Sequence, residues 1–168
     1  MPGVIRAYVR IVDRLNLWIG RIVMYSIFVL LGILLWSSIS KTFFLPSLWT
    51  LESAQFAMTA YYILGGAYAI QQGGHVRMDL FYGSWSARTR AIVDAVTVLF
   101  LVFFLVVLLY GGIGSTLYSI EFNERAPSAW RPLMWPIKAV MCVGIVLMLL
   151  QAVAEFFKDI GRLRGVEL

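Results

Sequence analysis

Residues 59–83 read TAYYILGGAYAIQQGGHVRMDLFYG, and the interpretation of the whole chain starts from this stretch. An uncharged apolar run ends at two glycines, and the only histidine of the chain, His75, follows directly. Arg77, Asp79 and a short aromatic segment come next. This order is typical of a membrane-spanning helix that reaches water, turns, and places aromatic rings in the headgroup layer. Two apolar runs lie on each side of the stretch, which predicts the central turn of a four-helix membrane protein.

The composition also indicates a bilayer environment. Hydrophobic residues make up 61% of the 168 residues and charged residues only 14%, whereas soluble domains carry about 25% charged residues. The net charge of +5 comes from basic residues near the ends of apolar runs, which fits headgroup contacts and topology control better than nucleic acid. The single cysteine, Cys142, excludes an intrachain disulfide and is expected to be a small buried hydrophobe.

The hydrophobic pattern predicts an all-α integral membrane fold, with one domain over residues 1–168. Apolar residues near the N-terminus recur at helical spacing, while Arg6, Arg10 and Arg14 lie on another face. This predicts an amphipathic interfacial helix, and the alternative is the basic n-region of a signal peptide. A helix of about 20 residues crosses the hydrocarbon core. The four expected transmembrane helices are residues 22–40, 52–71, 92–118 and 137–157.

Lysine and arginine are distributed unevenly between the two sides of this topology. Of the 14 basic residues, ten lie in the N-terminal segment, the central turn and the C-terminal tail, and four lie elsewhere. The positive-inside rule therefore places both termini and the central turn in the cytoplasm. The connections around Pro46 and Pro127 are expected to face the opposite side of the membrane.

Several kinds of chemistry have no matching residues in this sequence. A charge at the bilayer centre costs about 2.5–3.5 kcal/mol on insertion scales and usually marks a transport or proton path, but no predicted span has one in its middle. One histidine cannot supply bis-histidine haem ligation, and one cysteine cannot supply a thiol pair. We therefore expect neither an enzyme nor a cofactor or metal site, and a self-sufficient transporter is disfavoured.

Small residues in the second span predict a packing surface. They recur at multiples of four, and small residues allow helices to approach closely in lipid. We expect this stripe to pack on other helices, including those of a partner subunit. The spaced residues are Ser53, Ala57, Gly65 and Ala69, and Gly66 beside Gly65 is counted with the stripe.

The polar residues of the central turn allow two interpretations. They could form a cytoplasmic contact or regulatory site, or they could bind the free carbonyl groups at the end of the second span and fix the turn. The latter is favoured. The residues concerned are Gly73, Gly74, His75, Arg77 and Asp79. Glu52 likewise is either a carboxylate favoured by the start of a helix or one member of an ion pair with a neighbouring subunit.

The sequence resembles the small membrane subunit of the tripartite ATP-independent periplasmic (TRAP) transporters, the DctQ-like family. The resemblance rests on Trp49 and Glu52, on GGAYA at 65–69 and on GGHVRMD at 73–79. It implies a multi-pass protein of the bacterial inner membrane that braces a large multi-span subunit. That partner would carry the substrate and sodium sites, and a periplasmic binding protein would deliver an organic acid. A stand-alone small membrane transporter or enzyme and an accessory subunit of an unrelated complex remain the alternatives.

The outward connections are the expected docking surface for the binding protein. Prolines restrict the second connection, and charged rims with aromatic anchors are typical of interfaces. The alternative is a self-contained loop whose tryptophans belong to the aromatic belt. The candidate docking residues are Trp49, Glu52, Glu121, Glu124, Arg125, Trp130 and Arg131.

Overall fold

The computed structural model describes residues 3–73 and 87–163, which fold into four α-helices. Extended pairing within these residues is limited to an isolated bridge between Arg125 and Leu133. The all-α fold predicted from the sequence is therefore confirmed. The helices are α1 (Gly3–Phe43), α2 (Thr50–Gln71), α3 (Ala87–Glu121) and α4 (Trp135–Leu163).

The first helix is much longer than a membrane span. α1 has 41 residues without interruption, which corresponds to about 60 Å, twice the thickness of the hydrocarbon core. The sequence predicted an interfacial helix followed by a separate span, but residues 14–22 contain no proline that would end a helix. The structure therefore joins the two predicted segments into one helix.

The fourth helix is central, because α4 packs against each of the other three helices. α2 and α4 run in the same direction, with Ile63 against Gly144 and Gly66 against Met148. α3 packs on α4, where Leu105 and Ile145 share an apolar cluster. This arrangement leaves much of the surface of α3 free.

The first two helices run side by side in opposite directions. The Thr50 hydroxyl is 3.2 Å from the Ser37 hydroxyl at one end, and the Gln71 amide is 3.1 Å from the Asp13 carbonyl at the other. We call these the Thr50 end and the Gln71 end of the bundle. The start of α1 and the end of α4 both lie at the Gln71 end, where Val12 packs near Ala154.

Glycines allow the closest helix contacts. A Cβ at Gly144 would lie 2.2 Å from the Ile63 Cγ2 atom, and a Cβ at Gly20 would lie 2.6 Å from the Tyr68 ring. α1 and α2, and α2 and α4, therefore approach at separations that only glycine permits. Such contacts are typical of helices that associate in lipid.

The surface is apolar over most of the bundle. Within residues 3–73 and 87–163, three helices are long and apolar enough to cross a membrane, namely Val4–Phe43, Val96–Glu121 and Trp135–Gly161. Large side chains on α3 such as Phe100, Phe103 and Tyr110 are exposed. A continuous surface of this kind requires lipid or a partner protein to cover it.

Candidate docking surface and the polar contacts that position it

The connection between α3 and α4 is an ordered loop. The Ala126 amide donates to the Pro132 carbonyl at 3.0 Å, and the Met134 amide donates to the Glu124 carbonyl at 3.0 Å. Asn123 and Arg131 take positive φ angles of 48° and 51°, which turn the chain at the two ends of the loop. These hydrogen bonds and turns hold the loop backbone in a defined conformation.

A half-exposed ion pair attaches this loop to the helices. The Lys138 amine is 2.6 Å from the Glu124 carboxylate and 2.6 Å from the hydroxyl of the fully buried Ser119. The Ser119 hydroxyl also donates to Glu124. The hydrogen bond from Lys138, followed by that from Ser119, holds the pKa of Glu124 below its usual value. Glu124 is therefore an internal anchor of the loop.

The remaining predicted docking residues of the second connection face outward. Glu121, Arg125, Trp130 and Arg131 are all exposed. Neither arginine has an ion pair within the described part of the chain. The loop thus presents two unpaired cations beside an aromatic ring, while the Glu124 charge is used within the protein.

The two predicted docking residues at the start of α2 lie in different environments. Trp49 is exposed, whereas Glu52 is only 8% exposed. One oxygen of Glu52, Oε2, has no hydrogen-bond partner among residues 3–73 and 87–163. The side chain of Glu52 is thus mostly withdrawn from the surface that Trp49 presents.

The small-residue stripe of α2 packs largely on helices of the same chain. A Cβ at Gly65 would lie 3.7 Å from Val23 of α1, and a Cβ at Gly66 would lie 2.6 Å from Met148 of α4. Ser53 and Ala57 are half-buried, and Ala69 is exposed. Contact of this stripe with a partner subunit stays a prediction.

The end of α2 is described up to the first glycine of the predicted turn. Gly73 has a φ of +65°, the left-handed conformation that commonly ends helices. Its amide donates to the Ile70 carbonyl at 3.1 Å. Gly74, His75, Arg77 and Asp79 lie outside the described residues, so the two interpretations of the turn remain predictions.

A polar network at the Gln71 end was not predicted from the sequence. The Gln151 amide nitrogen donates to Asp13 at 2.9 Å and to Glu155 at 3.0 Å, and Asn16 donates to the Gln151 oxygen at 2.6 Å. The Lys158 amine lies 2.9 Å from Asp13 and 2.8 Å from Glu155. We call these five residues the inner network. The lone amides Asn16 and Gln151 in apolar surroundings were the available signal, since polar groups in lipid need partners.

The polar contacts of α2 are separated by the thickness of a bilayer core. α2 has 22 residues from Thr50 to Gln71, which corresponds to about 32 Å of helix. Their partners on α1, Ser37 and Asp13, are 24 residue steps apart, or about 36 Å. The hydrocarbon core is about 30 Å thick. The contact of Thr50 with Ser37 and the contact of Gln71 with Asp13 are therefore far enough apart to lie at its two boundaries.

Among the described residues, no three His, Cys, Asp or Glu side chains are placed to hold a metal ion. Cys142 is half-buried, and its sulfur lies 3.4 Å from the Thr116 hydroxyl between α3 and α4. The polar side chains described above contact one another at the two ends of the bundle. These contacts hold the helices together and fix the loop between α3 and α4.

These features define a helical integral membrane protein with polar contacts at both ends of an apolar bundle. The family model described as "Tripartite ATP-independent periplasmic transporters, DctQ component" matches residues 30–162. The chain therefore belongs to the DctQ family, which confirms the resemblance found in the sequence. This is a family of transporter components and not of enzymes, and its members work with a large membrane subunit and a binding protein. No curated protein sequence matches the chain.

Proposed function

We propose that this chain is the scaffold subunit of a sodium-coupled TRAP transporter for an organic acid. In this proposal it braces the large subunit, which carries the sodium and substrate sites, and helps to dock the periplasmic binding protein. The observation that carries the proposal is the distribution of charge. Four stretches, 22–40, 53–71, 95–120 and 139–154, contain no Asp, Glu, Lys, Arg or His. A chain without ionisable groups at mid-membrane depth lacks the usual elements of an ion-coupled pathway.

All four helices cross the bacterial inner membrane in this proposal, with both termini in the cytoplasm. α2 is not among the helices that are apolar enough to be candidate spans, but its length of about 32 Å and its polar contacts at both ends support a fourth span. The Gln71 end is the cytoplasmic end, because ten of the 14 basic residues lie in the N-terminal segment, the central turn and the C-terminal tail, which the four-span topology assigns to one side. The N-terminal third of α1 then lies at the inner membrane–water interface.

Reconstitution tests the division of labour between subunits. Proteoliposomes containing this chain, the large subunit and the binding protein should take up an organic acid along a sodium gradient. Proteoliposomes containing this chain and the binding protein without the large subunit should show no uptake. Uptake by this chain without the large subunit would identify it as a stand-alone transporter, the principal alternative.

The loop between α3 and α4 supplies the docking surface of the proposal, with Trp130 as the aromatic anchor. Arg125 and Arg131 are exposed cations that can steer an acidic partner. Changing both to Glu should slow transport when the binding protein is limiting, and the assembled membrane complex should remain at normal levels. The Arg125→Lys/Arg131→Lys variant keeps the charge and is the matched control. Unchanged transport at limiting binding protein would leave the loop with a structural role only.

A further inference from the structure

A strip of unpaired arginines runs along the N-terminal half of α1. Arg6, Arg10, Arg14 and Arg21 are all exposed, and none of their side chains has a hydrogen bond or ion pair within the described part of the chain. They cover 15 residue steps, or about 22 Å along the helix. We call them the arginine strip. It lies before residue 30, where the family match begins, so family membership does not account for it.

An apolar strip lies beside the arginine strip on the same helix. Its members recur at intervals of three, four and seven residues, so they share one face. Trp18 is 64% exposed and Ile11 66% exposed. The opposite face of the helix is occupied, because Val9 and Val12 pack near Ala154 of α4. The exposed apolar members are Val4, Ile11, Leu15, Trp18 and Ile22.

We infer that the arginine strip binds the headgroups of anionic phospholipids in the inner leaflet. The inference rests on the cytoplasmic orientation proposed above for the Gln71 end. Guanidinium groups bind phosphate oxygens through two parallel hydrogen bonds, and basic amphipathic helices with an exposed apolar face bind anionic membrane surfaces. The strip continues directly into the charge-free stretch 22–40, so it lies where the helix leaves the hydrocarbon core.

The length of the strip determines how the helix is placed. The headgroup layer is about 5–8 Å thick on each side of the bilayer, while the strip covers about 22 Å. A helix perpendicular to the membrane could place only one or two of the arginines in that layer. All four arginines reach the phosphates only if the N-terminal part of α1 lies obliquely along the interface, with the apolar strip against the acyl chains.

Native mass spectrometry of the full chain tests this inference, with phosphatidylglycerol and phosphatidylcholine added separately at equal concentrations. The wild-type chain should bind phosphatidylglycerol more tightly. The Arg6→Gln/Arg10→Gln/Arg14→Gln variant should lose about a hundredfold of that affinity, at about fivefold for each arginine, with no change for phosphatidylcholine. The corresponding lysine variant should keep most of the affinity. The three arginines are exposed, so the unfolding temperature should not change.

The matched control removes the same number of charges at the opposite end of the bundle. Lys41, Arg125 and Arg131 are exposed as well, and changing all three to Gln should lower the affinity for phosphatidylglycerol by less than fivefold. Equal affinity of the wild-type chain for the two lipids, or equal losses in the two triple variants, would overturn the inference.

Two further outcomes would assign the strip to a different occupant. Displacement of phosphatidylglycerol by inorganic phosphate at constant ionic strength would indicate a site for the free anion. If binding of the large subunit abolishes the effect of the arginine variants on lipid affinity, the strip is a protein interface. Either result would overturn the inference.

Discussion

Replacing Gly144 by alanine tests the helix contact at the centre of the bundle. The new Cβ would lie 2.2 Å from the Ile63 Cγ2 atom and 3.0 Å from the Ile63 carbonyl carbon and oxygen. Carbon atoms in favourable contact are about 3.5–4.0 Å apart. A change of the Ile63 rotamer can move Cγ2 but not the carbonyl group, so α2 and α4 must move apart.

The expected magnitude follows from two opposing effects. Overpacking of a tight contact costs about 1–3 kcal/mol, and the higher helix propensity of alanine returns up to about 1 kcal/mol. Because the clash includes backbone atoms, we expect a net loss of about 1–2 kcal/mol, which corresponds to a decrease in Tm of about 2–8 °C for a chain of this size. The matched control is Gly111→Ala, since a Cβ there meets no atom within 4 Å, and its Tm should stay the same or rise.

The chain contains a natural reporter for this measurement. Cys142 is the only cysteine, and it is half-buried between α3 and α4 beside Thr116. A thiol-reactive fluorogenic dye added during heating of the detergent-solubilised chain should therefore report the opening of the bundle. If Gly144→Ala is as stable as Gly111→Ala, α2 and α4 are not as close as the structure places them, and the reasoning is refuted.

Three further predictions concern the ends of the bundle. Lys158→Met leaves the carboxylates of Asp13 and Glu155 without their amine. It should lower the free energy of unfolding by about 1–3 kcal/mol, which is less than for a fully buried pair. The Lys158→Met/Asp13→Asn double variant should recover part of that loss. Because the pKa of Glu124 is lowered in the folded protein, its contribution is present above the usual glutamate pKa and is lost as pH falls through the lowered value. Hydrogen exchange of residues 124–134 should therefore stay slow at mildly acidic pH and accelerate only in stronger acid, and Glu124→Gln should abolish this transition. Reporter fusions at Ser84 and Ser128 should lie on opposite sides of the membrane, cytoplasmic and periplasmic respectively, and a common side for both would contradict the four-span topology.

The positions of the helices could be predicted because the bilayer fixes the length of an apolar run. Each of the four predicted spans overlaps one helix of the structure. The helix ends could not be predicted in the same way. α1 begins at Gly3, since its first turns pack on the C-terminal part of α4, where the Tyr8 hydroxyl donates to the Leu150 carbonyl at 3.0 Å. Such a contact depends on tertiary structure, and the helical spacing of the N-terminal apolar residues does not indicate which helix they pack against.

The candidate docking residues show the same limit. The sequence indicates that residues 121–135 are rich in charge and tryptophan, but it does not indicate which charges are already paired. Glu124 is paired with Lys138, 14 residues later, whereas Arg125 is exposed. Only the fold distinguishes an anchor from a docking residue here, because loop conformation decides which neighbouring side chain turns inward.

The contact between Asn16 and Gln151 in the inner network could have been inferred from the sequence. Asn16 and Gln151 are each almost fully buried, and each has apolar residues as its direct neighbours in the sequence. A buried amide without a partner is costly in a membrane protein, so one such residue implies a second near the same depth. Asn16 lies six residues before the first charge-free stretch, and Gln151 lies four residues before Glu155. Both therefore belong to the same boundary of the bilayer in a four-span topology, and that shared depth is the information that pairs them.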